Sequence, residues 1–284
     1  MIIAIDIGGT SIKYGYYVSN NLKEVKEIPS MASQGAKALF TQLCSIIETT
    51  SQLEGIAIST AGQVDVKQGK ITYAGNSIPD YTGFNLKEQL SNIFKVPVAV
   101  ENDVNCAALS EIDEGCIKDY DMYLCLTIGT GIGGSVIFEK RVLHGTSFSL
   151  GEFGYLPIKN KTFEEIASTS ALVERVKEYD NKISSGHQII NNINNNDIKN
   201  IVLNWIDDLV MGLNILTIAF NPKYIIIGGG ILDARDTIFD LINDKYLEIC
   251  KSKSFIKTKL KATTFYNHAG LRGAYINFQQ QLKQ

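Results

Sequence analysis

Two glycine turns and a few carboxylates are the residues of this chain with the clearest chemistry. The stretch "IIAIDIGGTSIKYGYY" at residues 2 to 17 reads as strand, Gly8-Gly9-Thr10, strand, and "LCLTIGTGIGGSVIF" at 124 to 138 repeats the plan around Gly129, Thr130, Gly131 and Gly133. With no Cβ in the way, successive backbone N–H groups in such a turn can converge on an anion, and a threonine hydroxyl adds a donor. Gly-Gly is also a common β-turn pair with no ligand at all. The occurrence of two such turns, with "IIIGGG" placing Gly228, Gly229 and Gly230 at a strand end, favours phosphate binding. Each turn would hold part of a polyphosphate, and the bare backbone at Gly229 and Gly230 would lie against a base or ribose. "GTGIGG" also satisfies G-x-G-x-x-G at Gly129, Gly131 and Gly134. That fingerprint needs a helix after it, and the strand-like "SVIF" follows instead.

Phosphoryl transfer to a hydroxyl needs an aligned nucleophile, a carboxylate to take its proton, and cations or amides on the γ-phosphate. Asp103, just after a strand and at the start of a helix, is the candidate base; helix capping is the alternative use of the same position. Asp6 ends the first strand beside its glycine turn, where it could support Mg²⁺ through water or stabilise the turn. Glu152 lies in a glycine-flanked loop, as a sugar ligand or a solvated glutamate. His144, His187 and His268 lack ligand spacing and take loop or packing roles, and Cys106 and Cys125 fall in apolar patterns as core residues.

The elements that must position these groups follow from periodicity. Ala36, Leu39, Leu43 and Ile46 lie on one helical face between the first hairpin and a strand at 53 to 60. A strand at 96 to 101 leads into "NDVNCAALSEI", a helix capped by Asn102 or Asp103. The second hairpin begins at Met122 and is followed by a loop at 144 to 158, a helix from 163 to 179, a polar stretch, and a long helix ending near residue 221. Strand, helix, strand and a last helix with Gly270 and Gly273 complete the chain. The repeated hairpin, helix and strand predict a duplicated α/β unit, with the boundary near residue 105.

The chain has 284 residues, of which 45% are hydrophobic and 20% charged, and a net charge of -3, which offers no basic stripe for nucleic acid or anionic lipid. Five cysteines without C-x-x-C spacing argue against disulfides and a structural zinc site. No export signal and no uninterrupted apolar run of about 18 residues stand out, so the expectation is a cytoplasmic protein.

"AIDIGGTSIKYG", "GIAISTAGQVDVKQGKI", "VAVENDVNCAALSE", "LCLTIGTGIGGSVI", "GEFGYLP", "IIIGGGI" and "HAGLRGAY" occur in one order along nearly the whole chain. In that order and spacing the chain resembles the ROK (repressor, open reading frame, kinase) sugar kinases. The resemblance implies a two-lobed actin-like ATPase fold of duplicated mixed-sheet units with an active-site cleft between lobes. The small lobe would be 1-105, with the C-terminal helix 269-284 packed back on it, and the large lobe 106-268. It implies ATP and Mg²⁺ as cofactors, with Asp6, Gly8, Gly9, Thr10, Thr130, Gly131, Gly133, Gly229 and Gly230 on the nucleotide and its metal. Asp103 matches the catalytic base. Ser59, Gly62, Asn76, Asn102, Asp103, Glu152, Tyr155 and Glu164 match sugar-site positions. Tyr155 stands where the family has a histidine that binds sugar and zinc, and the family's cysteine-rich motif is missing, so the resemblance is to its zinc-free members. It implies a sugar partner, a homodimer, and N-acetylmannosamine as substrate, with glucose or a β-glucoside as alternatives. A sugar-sensing repressor would need a DNA-reading module before the strand that starts at residue 2. A chaperone-type ATPase would not need carboxylates at 103, 152 and 164.

Overall fold

The computed structural model describes residues 1–75, 78–232, 235–250, 253–264 and 268–283. The chain divides into two compact units.

Unit 1 comprises Met1–Gly115, His144–Leu150 and the C-terminal segment. Strands β1 (Ile2–Ile7), β2 (Ser11–Val18) and β3 (Asn21–Pro29) form an antiparallel meander. Helix α1 (Ala36–Glu48) then crosses to β4 (Gly55–Thr60), which lies parallel to β1. A ribbon of β5 (Gln63–Asp65) and β6 (Lys70–Tyr73) and helix α2 (Leu86–Phe94) lead to β7 (Val98–Asn102), parallel to β4, and to helix α3 (Asp103–Ser110). The sheet order is β3-β2-β1-β4-β7.

Side chains alternate across a strand, and here the alternation sorts large from small. Ile3, Ile5, Ile7, Ile56, Ile58, Val98 and Val100 pack with Leu39 and Leu43 of α1 on one face. Ala4, Ala57 and Ala99 stand side by side on the other, where the C-terminal helix (Ala269–Leu282) packs through Leu271, Ala274 and Phe278. The alanine row lets that helix approach closely: a side chain at Gly55 would collide with the Phe278 ring, and one at Gly273 with the Cys106 carbonyl. Because α3 packs on the C-terminal helix it belongs wholly to unit 1, so the boundary falls after it and not near 105.

Unit 2 repeats the plan. Strands β8 (Tyr123–Ile128), β9 (Ile132–Phe138) and β10 (Arg141–Val142) are antiparallel. After a ribbon of β11 (Pro157–Ile158) and β12 (Lys161–Thr162) come helices α4 (Phe163–Ala167), α5 (Thr169–Tyr179), α6 (Gly186–Asn191) and α7 (Asn196–Phe220). Strand β13 (Tyr224–Gly228), helix α8 (Arg235–Cys250) and strand β14 (Lys259–Ala262) follow, and the sheet order is β10-β9-β8-β13-β14. Each sheet is thus a meander of three strands extended by two parallel ones, the α/β duplication of the actin-like ATPase fold.

The single helix expected over 163 to 179 is two. Ser168 is extended and its hydroxyl caps Ala171 N–H, starting α5 afresh. Helix α7 is long and apolar enough, by length and composition, to cross a membrane, which the apolar-run criterion had not picked out. Most of its candidate span is buried instead, with Trp205, Leu209 and Leu213 fully enclosed in unit 2.

Candidate functional site

Parallel pairing of β1, β4 and β7 lines up their C-terminal ends, with Asp6 beside Ser59, Ser59 beside Glu101, and Thr60 beside Asn102. Ser59 is fully buried and its Oγ donates to Asp6 Oδ1 at 2.6 Å. Its hydroxyl proton is therefore spent on the carboxylate. Burial raises the Asp6 carboxyl above the usual range, against the opposing pull of the Ser59 hydrogen bond and the Lys13 charge. The carboxylate sits against the first turn of the C-terminal helix, where a Cβ on Gly270 would collide with it. Helix N-termini favour negative charge.

At the β7–α3 junction the cap is Asn102, whose Oδ1 accepts from Val104 N–H at 2.9 Å and Asn105 N–H at 3.1 Å. Its Nδ2 donates to Gly62 O at 2.9 Å and to Asp103 Oδ1 at 3.0 Å. Both amide protons are thereby used in holding its neighbours. Gly62, at φ +95°, supplies a backbone carbonyl to this network. Asn102 is the cap, and Asp103 Oδ1 shares the Val104 N–H at 2.9 Å. Burial first, then the negative charge of nearby Asp6, push the Asp103 carboxyl up to about 6. Glu101 is buried and pairs with His144 at 2.8 Å. The sequence carried no sign of this contact, because 43 residues separate the partners.

In the first glycine turn Gly8 N–H closes onto Ser11 O at 2.9 Å, leaving Gly9 and Thr10 exposed at the tip. In the second, Gly129 N–H bonds Gly131 O at 3.0 Å and Thr130 is exposed. Strand β9 begins at Ile132, so Gly133 is a strand residue opposite Thr127 and lies outside the turn expected to contain it. The turn is fastened to α5, since Thr169 N–H donates to Gly129 O at 2.9 Å and Thr169 Oγ1 to Ile128 O at 3.2 Å. Gly229, at φ +122°, lies against Ile128 O, and Gly230 borders open space. Gly129, Thr130, Lys177, Ser185, His187 and Gly230 line a cavity of about 400 Å³ in unit 2. Of these, the residues of α5 and α6 were not expected.

Glu164, the second residue of α4, reaches the same turn. A Cβ at Gly131 would come within 2.7 Å of its Oε2, and one at Gly154 within 2.9 Å. Glu164 and Gly131 are thus brought together in unit 2. Glu152 is exposed, and Tyr155, 58% exposed, ends a single 3-10 turn at Phe153–Tyr155. Asn76 lies outside the described residues.

The sequence model of the ROK family matches residues 2–281. The chain belongs to the ROK family. It is 34% identical to the β-glucoside kinase of Listeria innocua over 99% of this chain and 98% of that one. Among solved structures, a candidate N-acetylmannosamine kinase from Listeria monocytogenes superposes with a TM-score of 0.88 at 31% identity, covering 99% of both chains. A ROK family glucokinase from Streptomyces griseus, in complex with glucose and AMPPNP, superposes with a TM-score of 0.79 at 25% identity over 96% of this chain and 97% of that one.

Proposed function

We propose that this ROK protein is an ATP-dependent sugar kinase that phosphorylates the 6-hydroxyl of a hexose. The observation that carries the reading is Asp103: a carboxylate at the start of α3, held at Oδ1 by Asn102 Nδ2 and Val104 N–H, and raised to about 6, close to working pH. A base poised there is still ionised at neutral pH and binds a proton more readily than an ordinary aspartate. In the proposed reaction it takes the proton of the sugar's 6-hydroxyl as that oxygen bonds to the γ-phosphorus, the bond to the β-phosphate oxygen breaks, and ADP leaves.

The two turns, at Gly8 to Thr10 and Gly129 to Gly131, are proposed to hold the triphosphate, and the cavity bordered by Gly230 its adenosine. The AMPPNP bound by the Streptomyces griseus glucokinase supports ATP as donor. Among the described residues no group of three or more His, Cys, Asp or Glu could hold a metal ion. Asp6 alone fits Mg²⁺ held largely by water and phosphate, which would neutralise charge on the transferring group. Glu152, Glu164 and Tyr155 remain the proposed sugar contacts. A homodimer, as the resemblance implies, and the cytoplasmic location expected from the sequence complete the proposal.

For the substrate, we place β-glucosides ahead of N-acetylmannosamine, because the Listeria β-glucoside kinases share 31% and 34% identity with this chain over nearly its full length. N-acetylmannosamine stays as the second reading, favoured by the close superposition on the candidate N-acetylmannosamine kinase. Coupled ADP release with cellobiose, glucose, mannose, N-acetylmannosamine and N-acetylglucosamine tests both. Sugar-dependent release is expected, strongest with cellobiose. Release that ignores every sugar would overturn the kinase reading.

A further inference from the structure

We infer that His144 is a positioning residue for Asp103, acting through the buried carboxylate of Glu101. The inference rests on the kinase reading given above and extends it to a residue that the glycine turns and strand-end carboxylates do not include.

Glu101 is 1% exposed, so its charge needs partners on both oxygens. Oε1 accepts from Asn102 N–H and from Asn105 Nδ2, each at 2.9 Å. Oε2 meets His144 Nε2 at 2.8 Å. The backbone that carries Asn102 and then Asp103 is thus tied to one Glu101 oxygen while His144 holds the other. A carboxylate gripped at both ends cannot rotate, and Asn102 passes that fixity on through its Nδ2 bond to Asp103 Oδ1 at 3.0 Å. Without the imidazole, Glu101 would be left with an unpaired buried oxygen and would turn to find water or another donor.

The placement of His144 in the chain gives the contact a second consequence. Segment His144–Leu150 belongs to unit 1, although the chain on either side of it belongs to unit 2. It is closed on itself by Leu150 N–H donating to His144 O at 3.2 Å, and Gly145 takes a positive φ of +69° within it. Phe148 packs edge-on against the imidazole with ring centroids 6.3 Å apart. Glu152 follows two residues after the segment ends. The pair that fixes Asp103 therefore also anchors the start of the loop bearing a proposed sugar ligand, so sugar seating and base alignment share one anchor.

Three substitutions separate positioning from packing. Nε2 of glutamine can reach the place of the imidazole Nε2, whereas the asparagine amide is one methylene short. H144A and H144N are expected to lower kcat by roughly tenfold to a hundredfold, the range for losing a hydrogen bond to a charged group. KM for ATP should stay within about twofold, since an interaction made only at the reacting centre does not enter ground-state nucleotide binding. H144Q should restore most of kcat, including when H144A cannot be purified folded and only the asparagine and glutamine variants are compared. A packing role would instead change the melting temperature in all three and leave kcat of the folded fraction unchanged. Wild-type kcat in H144N, or a glutamine variant as slow as the asparagine one, would overturn the inference. Sugar-dependent ADP release by the unmodified protein is measured alongside; its absence would count against the kinase reading, whereas its presence with unaffected variants counts against His144 alone.

Discussion

The two units share one sheet order and one kind of glycine turn, yet their turns have different neighbours. In unit 1 the turn at Gly8 to Thr10 adjoins Asp6, which is held by Ser59 and the first turn of the C-terminal helix, and Asp103 is near enough to feel its charge. In unit 2 the turn at Gly129 to Gly131 adjoins a cavity of about 400 Å³ and the start of α5. The topology therefore repeats a glycine turn, and the strand ends beside it differ. Strand β7 ends in Glu101 and Asn102 and is followed by Asp103, whereas β13 ends in Gly228 and runs into Gly229 and Gly230. In the proposed reading, reaction chemistry falls to the first unit and adenosine seating to the second.

The sharpest break of that division is D103N. It should lower kcat by about 10²–10⁴ while nucleotide and sugar binding persist, as loss of a positioned general base does. Steady-state kinetics with ligand titrations check it, and near-normal turnover would remove the chemistry from unit 1. Next in size is G270A, which forces Asp6 off the C-terminal helix. A displacement on this scale can cost on the order of 100-fold in rate. The loss should be accompanied by a raised Mg²⁺ requirement, seen by titrating Mg²⁺ at saturating ATP.

A smaller effect concerns stability. Folding raises the Asp103 carboxyl from its ordinary value of 3.8 to about 6, so relative to the unfolded chain the folded wild type favours the protonated form and is penalised for ionising it. That penalty is absent below about pH 4 and complete above about pH 6. D103N removes it, so the variant should be more stable than wild type at pH 7, by up to about 3 kcal/mol, and nearly equal to it near pH 4. Denaturant melts at the two pH values measure the difference. A destabilised D103N at pH 7 would mean that the aspartate is held for structure.

Much of this arrangement was legible in the sequence because it is local. The alternation in "IIAIDIGG" puts Ile3, Ile5 and Ile7 on one face of β1, and the step from "VAVE" to "NDVN" marks a strand turning into a capped helix. Which of Asn102 and Asp103 is the helix cap became plain only in the structure, where it is Asn102. What stayed hidden depends on distant partners. Strand β3, "NLKEVKEIP", is exposed or half-buried throughout and pairs through its backbone as a sheet edge, so no apolar alternation announces it. Ser59 reads as an available hydroxyl until parallel pairing sets it against Asp6, 53 residues away. His144 reads as a loop residue until Glu101 is found beneath it.

The central proposal is that each unit's glycine turn binds nucleotide phosphate, and its most direct test is calorimetric titration of AMPPNP into G9A and G129A. An added Cβ at either glycine meets nothing within 4 Å in the protein itself, so both variants should fold and melt as the wild type does. The account predicts that each weakens AMPPNP binding by roughly tenfold or more, because the methyl group occupies space the phosphates need. Unchanged affinity in either variant would contradict it.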